Sequence, residues 1–215
     1  MTKVFPSLLP IDNKQVVDDY VTACFRIMSK LQLNEFLQYG KNTSELYERN
    51  YIIVFSYHLG QKYSTLLKDD AVNGELCKKI KITSKITKTT FEHLKYSNYD
   101  ELVSFIPDFV IHINDSNRNL IPENQKLILE AKTTPNLTSK GFYWDFFKLN
   151  LYLNKLKYRN AIYLILNSSK TKIDRLLTSY FCKCYYYDKG NLDRLFFFIQ
   201  ENIDTPPIMY KLQKK

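Results

Sequence analysis

Apolar residues recur at three- and four-residue intervals through Val16, Val17, Tyr20, Ala23, Cys24, Ile27, Met28 and Leu31. That spacing predicts a helix over residues 14–38, capped by Asp12 or Asn13. Gly40 interrupts the pattern, and Thr43 or Ser44 opens a second helix running to about Leu59, with Glu45 and Glu48 near its positive end. Alternation in Lys79-Ile80-Lys81-Ile82-Thr83 and in Lys85-Ile86-Thr87 predicts a strand or irregular hairpin within 75–96. Residues 105–113 and 126–133 have strand character, and 114–124, rich in Asn, Asp, Ser and Pro, reads as the long loop of a hairpin between them. Helical periodicity returns over 142–157 through Phe142, Phe146, Leu149 and Leu153. A strand at 161–166 (AIYLIL), a helix at 170–180 and a last strand at 195–199 (LFFFI) follow, after which Pro206, Pro207 and the terminal lysines are expected to leave the core. This order predicts an α/β fold with a central mixed sheet of four to five strands flanked by helices. Residues 1–42 read as an N-terminal helical extension, 43–168 as the core, and 169–215 as a closing helix and strand of the same single domain.

Composition narrows the class. In 215 residues, 45% hydrophobic and 15% aromatic content excludes a disordered or fibrous chain, and five glycines argue against a glycine-cradled nucleotide site. Thirty-one basic against 22 acidic residues leave a formal charge of +9, which favours a polyanionic partner. Cys24, Cys77, Cys182 and Cys184 fit neither a zinc ribbon nor a disulfide framework, and read as reduced structural thiols. If the last two lay on a strand, both would face one side. The N-terminal apolar stretch is broken by two prolines and is no secretory core. No run reaches the roughly 18 apolar residues that a membrane span needs, so no membrane partner and a cytoplasmic location are expected.

The candidate chemistry lies in the central hairpin. Pro107-Asp108 opens one strand and Glu130-Ala131-Lys132 closes the next. Antiparallel pairing across the loop would bring Asp108 beside the Glu130–Lys132 pair, with Ala131 pointing away from the other two. The register is not readable, so Asp108 is assigned to the Glu130 face on chemical grounds alone. Two carboxylates so close would raise each other's pKa unless a cation lay between them, and a hard divalent ion such as Mg²⁺ takes such oxygen ligands. Such an ion can polarise a phosphoryl oxygen and acidify a bound water, and Lys132 beside it can orient that water or stabilise developing charge. The Ala131 carbonyl is a further available ligand. Glu130 and Lys132 could instead be a solvated edge-strand pair, but they close the apolar run Leu127-Ile128-Leu129, where unused charge is expensive. His112 falls on the Asp108 side of its strand by alternation, and reads either as a site residue or as a hydrogen-bonded structural histidine.

Together these residues resemble the PD-(D/E)XK nuclease superfamily, to which many restriction endonucleases belong. The likeness spans about residues 44–167. Glu48 in YERNYIIVFSYHL stands where an upstream helix of that superfamily supplies a further acid, and WDFFKLNLYL offers Asp145 and Lys148, helical neighbours three apart. The resemblance implies that Asp108, Glu130, the Ala131 carbonyl and Glu48 hold Mg²⁺, with Mn²⁺ as a substitute, and that Lys132 assists the attacking water. Asp145 and Lys148 would be accessory, with Lys148 on a phosphate; read without the resemblance, the two form an ordinary surface ion pair.

The function so implied is a Mg²⁺-dependent endonuclease acting on DNA rather than RNA, of microbial restriction, phage or defence type, in which a homodimer would let two single sites address two strands. The lysines are dispersed, and Tyr143, Trp144, Tyr152 and Tyr158 either stack on bases or pack the core. The competing reading is a nucleic-acid-binding or protein-interaction module that keeps the fold without cutting. A nuclease for RNA or single strands is the third.

Overall fold

The run Asn160–Leu166 is buried at all seven positions, which a strand achieves only when other layers cover both its faces. Around it, the computed structural model describes residues 5–11, 17–31, 44–95, 102–113, 123–134, 136–202 and 204–213. The strands are β1 (Ser7–Pro10), β2 (Ala71–Gly74), β3 (Lys78–Lys81), β4 (Leu102–Phe105), β5 (Phe109–His112), β6 (Gln125–Lys132), β7 (Asn160–Leu166), β8 (Leu195–Gln200) and β9 (Ile208–Gln213). The helices are α1 (Asp19–Met28), α2 (Ser44–Lys62), α3 (Lys85–Lys95), α4 (Ser139–Lys155) and α5 (Lys170–Cys182).

Seven strands make one mixed sheet in the order β1-β9-β8-β7-β6-β5-β2, while β3 and β4 pair as a separate ribbon. The sheet is parallel across β6, β7 and β8 and antiparallel outside them. From β6 through α4 to β7, and through α5 to β8, the chain steps twice in one direction, so crossovers of one hand leave both helices on one face. There Phe142, Phe146, Leu149 and Tyr180 share a core with Ile128, Tyr163 and Phe197. On the opposite face Val21, Ile27, Tyr51 and Phe55 of α1 and α2 pack on Phe109, Leu129, Ile162 and Phe198.

The mixed, helix-flanked sheet agrees with the sequence pattern, but its size does not: it has seven strands, not four or five. The additional strands lie toward the edges, are short and carry weak patterns; β2 is only Ala-Val-Asn-Gly, and β9 buries only Tyr210 and Leu212. The chain does not leave the core at Pro206 and Pro207, because β9 follows them and pairs with both β8 and β1. The N-terminal segment is correspondingly not a purely helical extension, since β1 forms the sheet edge.

Three further expectations are corrected. The helix expected over 14–38 is described as Asp19–Met28, with the Asp18 carboxylate capping it by accepting from the Tyr20 amide at 2.9 Å. Asp12, Asn13, Gly40 and Thr43 lie outside the described residues. The strand or hairpin expected through 75–96 is one short strand, β3, followed by α3. In α3, Thr87, Thr90, Phe91 and Leu94 are buried at helical spacing, and Thr87 and Thr90 donate their hydroxyls to the carbonyls of Ser84 and Ile86. That back-bonding satisfies β-branched residues that otherwise favour strands. The strand expected over 105–113 is divided, because Pro107 has no N–H for a ladder; β4 belongs to the ribbon and β5 to the main sheet. Cys182 and Cys184 lie at and beyond the end of α5 rather than on a strand, and all four cysteines are free thiols.

Candidate functional site

The break at Pro107 leaves Asp108 in a bend immediately before β5. β5 and β6 pair antiparallel with Phe109 opposite Leu129, so extending the register by one position puts Asp108 opposite Glu130, on the face covered by α4. One Asp108 carboxylate oxygen accepts the Ala131 amide at 2.7 Å, which ties the bend to the neighbouring strand. Glu130 is completely buried and is the Cα partner of Tyr163 on β7.

Two lysines thread the acids. Lys148 Nζ, from α4, lies 2.6 Å from Glu130 Oε2 and 3.0 Å from Asp145 Oδ1. Lys132 Nζ, at the end of β6, lies 2.9 Å from Glu48 Oε1 of α2 and 3.3 Å from Asp145 Oδ2, and donates to the Ala131 carbonyl at 2.9 Å. Tyr163 donates its hydroxyl to Asp145 Oδ2 at 3.3 Å. The result is a continuous chain, Glu48–Lys132–Asp145–Lys148–Glu130, with Asp108 alongside. Fully ionised, four carboxylates and two ammonium groups leave an excess of two negative charges in a largely buried space.

The electrostatics register that excess. Burial raises the Glu48 carboxyl to about 7 despite the opposing pull of Lys132. Burial likewise lifts Asp108 above the usual carboxylate range and Glu130 well above it, with Lys132 countering in the first case and Lys148 in the second. For both lysines burial disfavours charge, but surrounding acids outweigh it and hold the ammonium form: Asp145 and Glu48 around Lys132, Glu130 and Asp145 around Lys148. Burial, then the Glu130 charge, keeps the Tyr152 hydroxyl protonated, and burial, then Asp145, does the same for Tyr163.

The cluster opens at one end. Glu48 and Lys132 retain 22% and 21% of their side-chain exposure, and a cleft of about 500 Å³ lined by Glu48, Arg49, Ile52, Ile53, Gly74, Glu75 and Asp108 lies beside them. An ion pair between Arg49 and Glu75 at 3.3 Å joins two of the residues lining it.

Among the described residues, no group of three His, Cys, Asp or Glu side chains is arranged to enclose a metal ion. The donor set therefore does not suit a dry cage of the zinc or calcium kind. It does suit a mostly hydrated hard cation, which needs only one or two carboxylates. Glu130 Oε1 is buried and meets no hydrogen-bond partner among the described residues, and one divalent ion would neutralise the excess of two charges. Glu48 Oε1 and the Ala131 carbonyl, both expected as ligands, are engaged by Lys132 Nζ here. The carbonyl keeps a second lone pair.

Of the residues singled out in the sequence, the structure brings together Asp108, Glu130, Ala131, Lys132, Glu48, Asp145 and Lys148. It does not bring His112 to them. That side chain is four positions along from Asp108, about 13 Å at strand rise, and its Nε2 lies 3.1 Å from Asn73 Nδ2. Tyr143, Tyr152 and Tyr158 are core residues, and Trp144 is half-buried beneath the Lys95 ammonium, 4.4 Å from its ring. Pattern reading missed Tyr163, though a lone hydroxyl within AIYLIL is a signal that a polar partner must be near.

No family model matches the chain, and neither does any curated protein or solved structure. No helix among the described residues is long and apolar enough to cross a membrane.

Proposed function

We propose that this protein is a Mg²⁺-dependent endonuclease of the PD-(D/E)XK type, hydrolysing phosphodiester bonds of DNA, with a restriction-endonuclease-like fold and a role in microbial restriction, phage biology or defence. The observation that carries the reading is the meeting of Asp108, Glu130 and Lys132 at adjoining strand ends, with two negative charges in excess and a cleft leading to them. Asp108 and Glu130 would hold Mg²⁺, which when bound supplies Lewis-acid polarisation of a phosphoryl oxygen and a more acidic water. Lys132 is the cation at the open rim, positioned to orient the attacking water and to meet charge that develops on the phosphate oxygens. Asp145 and Glu48 hold that ammonium in place, and Lys148 neutralises Glu130 from behind rather than reaching a phosphate. Water adds to phosphorus as the bond to one sugar oxygen breaks, and that oxygen departs with a proton.

One observation favours the competing reading of a binding module that does not cut: both lysines already pair with acids of the cluster. The two are separated by incubating supercoiled plasmid with the full chain. Nicking or linearisation with Mg²⁺ or Mn²⁺, abolished by EDTA and by Lys132→Gln in a protein that melts normally, is the expected result. Intact plasmid, RNA and single strands under all these conditions, with salt-sensitive binding retained, would establish the module instead.

A further inference from the structure

Residues 78–95 contain six lysines and one acid, Glu92. The fold gathers part of this charge on one surface. β3 and β4 form an antiparallel ribbon outside the main sheet, with Lys79 opposite Ser104 and Lys81 opposite Leu102. Residues directly opposite share a face, so these four side chains line the same side of the ribbon, and all four are exposed. The other side is anchored: Ile80 and Phe105 are each 2% exposed, and Phe105 stacks on Trp144, the neighbour of Asp145. Lys85, exposed, opens α3 four residues beyond Lys81. The ribbon adjoins the cluster, because β4 continues through Ile106, 53% exposed, and Pro107 directly into Asp108.

We propose that the outer face of the β3–β4 ribbon, extended by Lys85, is the docking surface for duplex DNA and seats in its major groove beside the Asp108–Glu130–Lys132 cluster. The inference rests on the nucleic-acid reading of that cluster. Two strands about 4.8 Å apart form a body that the roughly 12 Å major groove admits. Lys79, Lys81 and Lys85 meet phosphates, contacts that position without reading sequence, while Ser104 and Leu102 face base edges. Among the described residues the ribbon's outer face carries no aromatic ring for unpaired bases to stack on, which disfavours single strands. The deep, narrow major groove of A-form RNA does not admit such a ribbon.

Fluorescence anisotropy of a labelled DNA duplex with the full chain in EDTA, titrated with salt, tests the inference without cleavage. The Lys79→Ser/Lys81→Ser variant should lower the slope of log affinity against log salt by about 2, at about 0.9 per lost phosphate contact. Ser104→Glu, a second route on the same face, should weaken binding at least tenfold. Lys172→Ser/Lys183→Ser, on α5 and at its C-terminal cap, should match the parent chain. Unlabelled single-stranded DNA and duplex RNA should compete at least tenfold less well than duplex DNA. An unchanged slope in Lys79→Ser/Lys81→Ser with an unaltered melting profile would overturn the proposal, as would equal competition by either other nucleic acid. Binding through the ribbon with no cutting in Mg²⁺ would remove the nuclease reading alone; cutting with an unaltered slope would remove the ribbon alone.

Discussion

Lys148 offers the sharpest probe of how the cluster is held together. Its ammonium lies 2.6 Å from Glu130 Oε2 and 3.0 Å from Asp145 Oδ1, and Glu130 is fully buried. Lys148→Met removes one of the two cations, so the fully ionised count goes from −2 to −3, and it leaves the Glu130 carboxylate without its ion-pair partner. Breaking a buried pair from one side destabilises by about 3–5 kcal/mol. In a chain of this length that corresponds to a fall of about 6–20 °C in melting temperature. Replacing both partners, Glu130→Met with Lys148→Met, exchanges the pair for apolar groups and should return stability to within about 1.5 kcal/mol of the parent. Urea unfolding in EDTA, monitored by circular dichroism and fluorescence, supplies the double-mutant cycle. If Lys148→Met unfolds at the parent's urea midpoint, or if the two substitutions simply add, the description of an interlocked buried network is wrong.

Glu48 titrates at about 7 in the folded chain against 4.5 unfolded, so the folded state binds the extra proton: stability is fully present below about pH 4.5 and declines as pH rises through about 7. The change is about 3 kcal/mol at most. Urea midpoints in EDTA from pH 4.5 to 8 should show this decline, flattened in Glu48→Gln; an unchanged slope in that variant would refute the assignment. Saturating Mg²⁺ should raise the melting temperature, by the equivalent of about 2.7 kcal/mol at a hundredfold excess over its dissociation constant, and Asp108→Asn should abolish the increase. A shift that persists in Asp108→Asn places the ion elsewhere. His112→Asn should leave plasmid cleavage within about twofold of the parent, since the side chain pairs with Asn73 rather than with the cluster; a loss of a hundredfold would return His112 to the site.

What could be read from the chain depended on how local the signal was. β6, α4 and β7 were legible because each is a long or strongly apolar run set by burial on both sides, and α5 because its buried Ile173, Leu177, Tyr180 and Phe181 recur at helical spacing. β2 and β9 were not, since their pairing energy comes from distant neighbours and their own residues carry little pattern. The lysine-and-threonine stretch after β3 alternates like a strand, yet Thr87, Thr90, Phe91 and Leu94 were already spaced for a helix, and buried packing decided between the two periods. For the cluster, residue identities were visible but their register was not. That Asp108 shares the Glu130 face follows from pairing of β5 with β6, and that Lys148 points at Glu130 follows from the docking of α4. Tyr163 escaped notice because its partner, Asp145, reaches it only through the docking of α4 on the sheet.

Lys132 is gripped by groups from three separate pieces of the chain: its own strand, α4 through Asp145, and α2 through Glu48, which lies 84 residues away in sequence. α4 and α2 belong to opposite layers of the sheet. A molecule with its sheet and one layer assembled therefore still lacks a fully positioned ammonium group. Where that group sits is thus a property of the whole assembled fold, and loosening either layer would release Lys132 from one of its holders.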